Sequence, residues 1–201
     1  MYDNAFPRTA YIRRDGRDVM VSLYHYQHRS ITHPRHPRQA ARLRARFRHL
    51  FGVNYDPLDV RKNLPLFIEA ESVEPTAFRG ATWSEHVHSW CSSAHGNVVV
   101  TAYESLLAQP VQEFAKVLEF LTDEAVDKRR LRISLDRYSF DRTGRQRGEE
   151  DLDSFMRKGV AGDWRQHFDR CAGETFSYYH GETLMQFGYE SDPRWYTSLP
   201  S

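Results

Sequence analysis

The sequence reads Phe155-Met156-Arg157-Lys158-Gly159 and, after two further residues, Gly162-Asp163-Trp164. Two adjacent cations stand beside a glycine, whose missing Cβ lets a ligand approach the backbone closely. An oxyanion such as a phosphate is bound by this combination of positive charge and directional N–H donors. An isolated Arg-Lys-Gly is also common in solvated turns, so the interpretation depends on what surrounds it. Further phosphate-binding residues elsewhere in the chain would favour a phosphate site over a solvated turn.

Composition indicates one globular domain. The chain has 201 residues, 40% of them hydrophobic and 13% aromatic, which is enough for one sizeable core. A formal net charge of +1 gives no overall attraction to nucleic acid or membranes. Two cysteines are too few for a disulfide framework, and we find no apolar run of about 20 residues and no signal peptide. These features predict a cytoplasmic protein without a membrane segment.

A strand, a turn and a helix are predicted near the start of the chain. Residues 9–14 are β-prone and end at Asp15-Gly16, and an amphipathic helix follows from Arg17 to about His28, with Asp15 as its N-cap. Residues 98–103 form a second strand, and four of their first five members are β-branched, as in a strand buried on both faces. Strands alternating with helices predict an α/β fold with a parallel sheet.

The remaining segments are predicted from their periodicity and breakers. We expect helices over 39–51, from Thr82 onward, over 111–121, over 123–136 and over 174–186. We expect irregular chain at 30–37 and a loop over 52–65, because both contain prolines. Residues 66–79 have no clear pattern, and 142–150 are polar with two glycines.

Several segments resemble, in order, those of the cytosolic sulfotransferases that use 3′-phosphoadenosine-5′-phosphosulfate (PAPS). They are 155–164, the strand–turn–helix at 11–22, the helix at 83–90, the strand ending in Tyr103-Glu104, and Tyr138-Ser139-Phe140. The resemblance runs from about Tyr11 to Tyr189. It implies a P-loop-kinase-like fold, with a parallel sheet flanked by helices, and transfer of a sulfuryl group to an acceptor hydroxyl or amine.

The resemblance also implies roles for individual residues. Arg14 and Ser22 would contact the 3′-phosphate of PAPS, and Tyr103 and Phe140 would hold the adenine. The cofactor-binding set is completed by a clamp on the same phosphate, formed by Arg157, Lys158 and Gly159. Each position also has an ordinary structural interpretation: Arg14 could pair with Asp15 or Asp18, and the aromatic residues could belong to the core.

Other parts of the family pattern are missing. We find no Gly/Ser/Thr-rich 5′-phosphosulfate loop with its lysine and no Lys-Thr-His segment with the histidine base, so no catalytic residue is assigned. We therefore expect residues 1–201 to be a single, N-terminally incomplete domain, the C-terminal two-thirds of the family domain, and inactive alone. In the family's dimer motif, Arg165 and Glu174 fit but Asp169-Arg170 replace Thr-Val, so that dimer is not expected.

Two alternatives concern the rest of the chain. The stretch 29–55 has seven arginines and no acidic residue, which fits a solvated helix docked by Leu43, Phe47 and Leu50, an anionic acceptor site, or nucleic-acid contact. Without interleaved aromatic residues we expect no nucleic-acid partner, and we expect a small-molecule acceptor instead. His86 and His88 lie two residues apart and so make a poor metal pair on a helix. His25 and His28 could share a helix face but lack a third ligand in the sequence, so no metal is expected. The competing class is a non-catalytic nucleotide-binding or basic-helix interaction module.

Overall fold

The computed structural model describes residues 7–92, 96–138 and 159–201. The chain divides into two compact units, which we describe separately. The first comprises Asp15–Val87 and Gly162–Ser201, and the second contains the described residues among 2–14 and 88–161.

The second unit contains a parallel two-stranded sheet. Strands β1 (Thr9–Arg13) and β2 (Val98–Ala102) pair in register from Thr9 opposite Val98 to Arg13 opposite Ala102. Helices α5 (Tyr103–Ala108), α6 (Pro110–Thr122) and α7 (Lys128–Arg137) follow β2, and α5 and α6 pack against that strand. Since parallel strands point the same way, both strands end at one edge of the sheet.

The first unit is a set of packed helices. It contains α1 (Gly16–Thr32), α2 (Pro37–Phe51), α3 (Val60–Val73) and α8 (Arg170–Gln186), and α4 (Trp83–Cys91) begins in it. Short 3-10 helices occupy Phe78–Gly80, Asp163–Gln166 and Trp195–Ser198. The core is largely aromatic, with Tyr24, Phe47, Phe67, Trp83 and Phe176 fully or almost fully buried.

Local sequence signals account for most helix starts. Asp15 caps α1 by accepting a hydrogen bond from the backbone N–H of Arg17. Thr82 and Glu85 form a capping box at α4, in which each side chain accepts from the backbone N–H of the other residue. The α/β class, the parallel pairing and these helix starts agree with the sequence-based predictions.

The structure corrects several boundaries. Helix α1 continues to Thr32 and α2 begins at Pro37, so only residues 33–36 of the predicted irregular segment lie outside helices. The predicted loop 52–65 is wrong over residues 60–65, because α3 begins at Val60 and contains Pro65. Proline costs a backbone hydrogen bond inside a helix. Burial of Leu64, Phe67 and Ile68, which α3 contributes to the core, compensates for that loss.

Two further predictions about elements are also wrong in part. Strand β2 is mostly half-buried rather than buried on both faces, with Thr101 as its buried member. It ends at Ala102, so Tyr103 is the first residue of α5 rather than the last of the strand. The helix predicted from 123 starts at Lys128, because Asp123 adopts a left-handed conformation and ends α6, and Asp127 caps α7.

Candidate functional site

Arg14 lies just beyond the end of β1, at the edge of the sheet where parallel strands commonly present ligand-binding side chains. Its guanidinium carbon is 4.5 Å from the centroid of the Tyr103 ring. One of its terminal nitrogens donates a 3.0 Å hydrogen bond to the carbonyl oxygen of Val160. The second unit therefore brings together three predicted site positions, Arg14, Tyr103 and the segment that begins at Gly159.

Gly159 has a φ of +65°, in the left-handed region that favours glycine. The chain thus turns at the last residue of the Arg-Lys-Gly segment, and Val160, immediately after it, accepts the bond from Arg14. Phe140, Arg157 and Lys158 lie outside the described residues, so their predicted roles stay predictions.

Ser22 lies in the first unit. It is the seventh residue of α1 and is half-buried, in the second turn of the helix. Its predicted contact with a phosphate stays a prediction.

The carboxylates predicted as alternative partners of Arg14 have other contacts. Asp15 receives hydrogen bonds from the Arg17 guanidinium, at 3.0 Å from Nε and 2.7 Å from a terminal nitrogen. Asp18 accepts from two backbone N–H groups, those of Gly162 at 2.8 Å and Trp164 at 2.9 Å. Both carboxylates therefore stabilise the first unit itself.

Sequence reasoning missed the distant contacts that Arg17 and Asp18 make within the first unit. Arg17 is almost completely buried and also pairs with Glu190. Its guanidinium carbon lies 3.8 Å from the centroid of Trp164. Both residues lie in the first turn of α1 and close to Arg14 in sequence, but Glu190 is 173 residues from Arg17 and Gly162 is 144 residues from Asp18.

The basic stretch 29–55 contains two kinds of arginine. Arg44 and Arg46 donate to backbone carbonyls of neighbouring helices, the carbonyls of Ile31 and Ala70 respectively. Leu43 and Phe47 anchor α2 in the core, as predicted. Arg44 is nevertheless exposed overall, and four other arginines of the stretch beyond α1 are exposed as well: Arg35, Arg38, Arg42 and Arg48.

Metal and thiol chemistry find no support in the part of the chain that the structure describes. Within it, no group of three or more His, Cys, Asp or Glu side chains could hold a metal ion. Burial raises the pKa of the Cys91 and Cys171 thiols, which disfavours their nucleophilic thiolate forms. Over the same described ranges, no helix is both long and apolar enough to cross a bilayer.

The second unit thus places a cation at the carboxyl edge of a parallel sheet, with an aromatic ring against it and a left-handed glycine nearby, in a chain of the α/β class. Comparison with known proteins gives the family. The family model for the sulfotransferase domain matches residues 6–188. This chain belongs to the sulfotransferase domain family.

Individual relatives agree with this assignment. The chain is 26% identical over 190 residues to sulfotransferase 1A1 of Bos taurus, covering 88% of this chain and 55% of that protein. It is 26% identical over 178 residues to human sulfotransferase 1C2, covering 83% of this chain and 51% of that protein. The chain thus spans about half the length of the curated relatives it matches.

A solved structure supports the fold. The chain superposes on retinol dehydratase, solved in complex with androsterone and the inactive cofactor PAP, with a TM-score of 0.59 and 19% identity. The match covers 88% of this chain and 47% of that one. At this identity the likeness bears on the fold alone, and it agrees with the predicted α/β sulfotransferase architecture.

Proposed function

We propose that this chain binds the 3′-phosphoadenosine part of PAPS and serves an enzyme that transfers the sulfuryl group to a small-molecule hydroxyl or amine. The observation that carries the proposal is the position of Arg14. Its guanidinium lies against Tyr103 and bonds the carbonyl of Val160, one residue after the left-handed Gly159. A phosphate at this edge would meet a planar cation and a backbone without a Cβ.

Different residues would bind the phosphate and the adenine of the donor. Arg14, Ser22, Arg157, Lys158 and Gly159 would hold the 3′-phosphate, and Tyr103 and Phe140 would hold the adenine. Bound PAPS supplies the activated sulfuryl group. Such transfers depend mainly on positioning and charge stabilisation, so a fixed 3′-phosphate would hold the donor in register with the acceptor. We assign no catalytic base in this chain.

A cytoplasmic location is part of the same proposal. It is supported by Cys91 and Cys171, which are both free thiols, as expected in a reducing compartment.

The proposal is tested by calorimetric titration with adenosine 3′,5′-bisphosphate, with 5′-AMP as the control ligand. We expect the bisphosphate to bind at least ~10-fold more tightly than 5′-AMP, since a charge-assisted phosphate contact contributes about 1.5–3 kcal/mol. Arg14→Gln and Arg157→Ala should each remove most of that preference.

Arg13→Gln is the matched control. Arg13 is the last residue of β1, and neighbouring side chains along an extended strand point to opposite faces. Arg13→Gln should therefore leave the preference for the bisphosphate unchanged. Equal affinity for the two ligands, or equal losses in Arg13→Gln and Arg14→Gln, would contradict the proposal.

A second candidate is a non-catalytic interaction module that uses the exposed arginines of 29–55. Arg38 and Arg42 lie one helical turn apart on the solvent side of α2. Their charges suit a polyanion. Binding of a single-stranded oligonucleotide that weakens steeply with salt and persists in Arg157→Ala would favour this module over the enzyme.

A further inference from the structure

Helix α7 carries far more positive charge than the chain as a whole. Its ten residues include five Lys or Arg side chains and one Asp, a formal net charge of +4, whereas the whole chain carries +1. The positive charge at α7 is therefore a local excess within the second unit. Such an excess can attract an anionic partner even though the overall charge of the chain does not.

Helix α7 contributes little to the core of the second unit. None of its residues is buried. The helix packs against α6, and its half-buried residues are Leu131 and Leu135, which lie one turn apart on the same side. All its other residues are exposed. The side of α7 away from these two leucines is therefore not used in packing by the described part of the chain.

This outer side of α7 combines arginines with an exposed apolar residue. Arg129, Ile133 and Arg137 are spaced by four residues, so they lie along one side of the helix. Arg132 lies beside them, and Ile133 is 56% exposed. We call these four residues the α7 surface. Asp136, which is also exposed, is the one carboxylate on this helix.

The acidic residues that precede α7 are paired with cations outside the α7 surface. Asp123 forms an ion pair with Arg8 at 3.1 Å, and Asp127 forms one with Arg130 at 3.4 Å. Within the ranges that the structure describes, the three arginines of the α7 surface form no ion pair. Their charges are therefore available to a partner.

We propose that the α7 surface docks on an anionic lipid bilayer. Clusters of basic residues on an amphipathic helix are attracted by acidic headgroups, and each arginine adds to the attraction. Ile133, between the arginines, would enter the boundary between headgroups and acyl chains, while the long arginine side chains reach the lipid phosphates. The helix would lie in the plane of the interface. This inference uses no residue of the proposed nucleotide site and so does not depend on the proposed function.

The apolar residue distinguishes α7 from the other basic helix, α2. In α2, the large apolar residues Leu43 and Phe47 are buried in the core, and the exposed residues are small or polar. The phosphates of a nucleic acid would pair with the arginines of α7 but would leave Ile133 in water, whereas a bilayer accommodates both. A lipid surface therefore fits α7 better than a nucleic acid does.

The proposal is tested by flotation of the full chain with phosphatidylcholine vesicles that contain about 30% phosphatidylserine. Vesicles of phosphatidylcholine alone are the control. We expect binding to the anionic vesicles only, and this binding should weaken at least ~10-fold when salt is raised from about 0.1 M to about 0.5 M. Equal binding to both kinds of vesicle, or no binding to the anionic ones, would overturn the proposal.

A pair of double variants separates the α7 surface from the overall charge. Arg132→Gln with Arg137→Gln should lower the affinity for the anionic vesicles at least ~10-fold. Arg170→Gln with Arg194→Gln removes two exposed charges outside both basic helices and should lower it less than about threefold. All four positions are exposed, so urea unfolding should match that of the wild type and show that both variants are folded. Equal losses of vesicle affinity in the two variants would contradict a specific surface on α7.

Ile133→Ser tests the apolar part of the surface and distinguishes a bilayer from a nucleic acid. It should lower vesicle affinity at least ~5-fold, since it keeps every charge but removes the apolar group that enters the bilayer. Val73→Ser, at a position of α3 that is 64% exposed, is the matched control and should stay within about twofold of the wild type. Single-stranded oligonucleotide binding should be unchanged in Arg132→Gln with Arg137→Gln. If that double variant weakens oligonucleotide and vesicle binding equally while Ile133→Ser weakens neither, α7 is a nucleic-acid surface and the membrane inference is wrong.

Discussion

The guanidinium carbon of Arg17 lies 3.8 Å from the centroid of the Trp164 ring, and the Trp195 ring is 4.5 Å from the same carbon. Arg17 is 1% exposed. Its charge is balanced by ion pairs with Asp15 and Glu190. A single buried cation therefore connects the start of α1 to aromatic residues far along the chain.

Arg17→Met should be strongly destabilising. It leaves Asp15 and Glu190 partly buried without their cation, and breaking a buried pair on one side typically costs about 3–5 kcal/mol. Arg165→Met is the matched control, because Arg165 also lies 4.5 Å from the Trp164 ring but is exposed. We expect it to cost less than about 1 kcal/mol. Similar losses in the free energy of unfolding, measured in urea, would contradict this account.

The contrast between Thr82 and Arg17 explains what the sequence could predict. The capping box of Thr82 and Glu85 is contained within four residues, so its pattern is readable locally. The partners of Arg17 include Glu190, and nothing in the sequence marks residues 17 and 190 as neighbours. The same limitation explains why α3 was not predicted. Packing of its apolar residues in the core outweighs the unfavourable effect of Pro65 on the helix.

Gly16→Ala should disrupt the core. A Cβ at Gly16 would lie 2.5 Å from a ring carbon of Trp83 and 2.7 Å from one of Phe176. Both rings are buried and cannot move aside easily, and overpacking of this kind costs about 1–3 kcal/mol or more. The loss is measured as a lower midpoint of urea unfolding at unchanged m-value.

Gly181→Ala is the control for this substitution. Gly181 lies within α8, and a Cβ there would be 3.0 Å from the hydroxyl of Ser177, the end of a small side chain. Alanine favours a helix over glycine by about 1 kcal/mol. Stability should therefore stay the same or rise. A loss in Gly181→Ala as large as that in Gly16→Ala would show that the contact with Trp83 is not the cause.

His180 should make stability depend on pH. It is buried, with Ser72 and Ser84 hydroxyls within hydrogen-bond distance of its two ring nitrogens, at 3.0 and 2.8 Å. Burial lowers the pKa of His180 from 6.5 to about 4, although the charge of Glu85 raises it slightly. Between pH 6.5 and about 4, His180 therefore binds a proton in the unfolded chain but stays neutral in the folded chain. This contribution to stability is complete above pH 6.5 and is lost as the pH falls towards 4.

The size of the pH effect follows from the shift. Between pH 7.5 and 5 it should reach about 2 kcal/mol, and His180→Gln should remove that difference. His49→Gln, at an exposed position of α2, should leave it in place. The effect is measured by urea unfolding of the three proteins at both pH values. Titration of the carboxylates is common to all three proteins, so it cancels when their pH dependences are compared. Equal pH dependence in wild type and His180→Gln would refute this assignment.

Part of the candidate site could be predicted from the sequence. Arg14 and Tyr103 were assigned by resemblance, and the structure places them in contact. The contacts of Asp18 were not predicted, because its carboxylate accepts hydrogen bonds from two backbone N–H groups, and backbone donors leave no trace in the residue types of a sequence. Side chains that bind other side chains can be guessed from charge and spacing, whereas a carboxylate that binds backbone resembles any acidic residue in a first helical turn.

Arg42 and Arg46 lie four residues apart on α2 and should differ in their contribution to stability. Arg46 donates to the carbonyls of Ala70 and Glu74, at 3.0 Å each, and so satisfies the C-terminal end of α3. Arg46→Gln should cost about 1–3 kcal/mol, because the partly buried carbonyl of Ala70 and the buried carboxylate of Glu71 lose their donor. Arg42 is exposed, and Arg42→Gln should change stability by less than about 0.5 kcal/mol.

The same pair separates the structural use of the basic helix from a binding use. If α2 is a solvated helix and nothing more, Arg42→Gln is silent in every assay, including oligonucleotide binding. If α2 is a surface that binds polyanions, Arg42→Gln should weaken oligonucleotide binding. The slope of log affinity against log salt concentration should then fall by about one, while the free energy of unfolding stays unchanged. Arg129→Gln removes one equally exposed charge from α7 and controls for net charge. An effect shared by Arg42→Gln and Arg129→Gln would indicate overall charge, because a specific surface on α2 would respond to Arg42 alone.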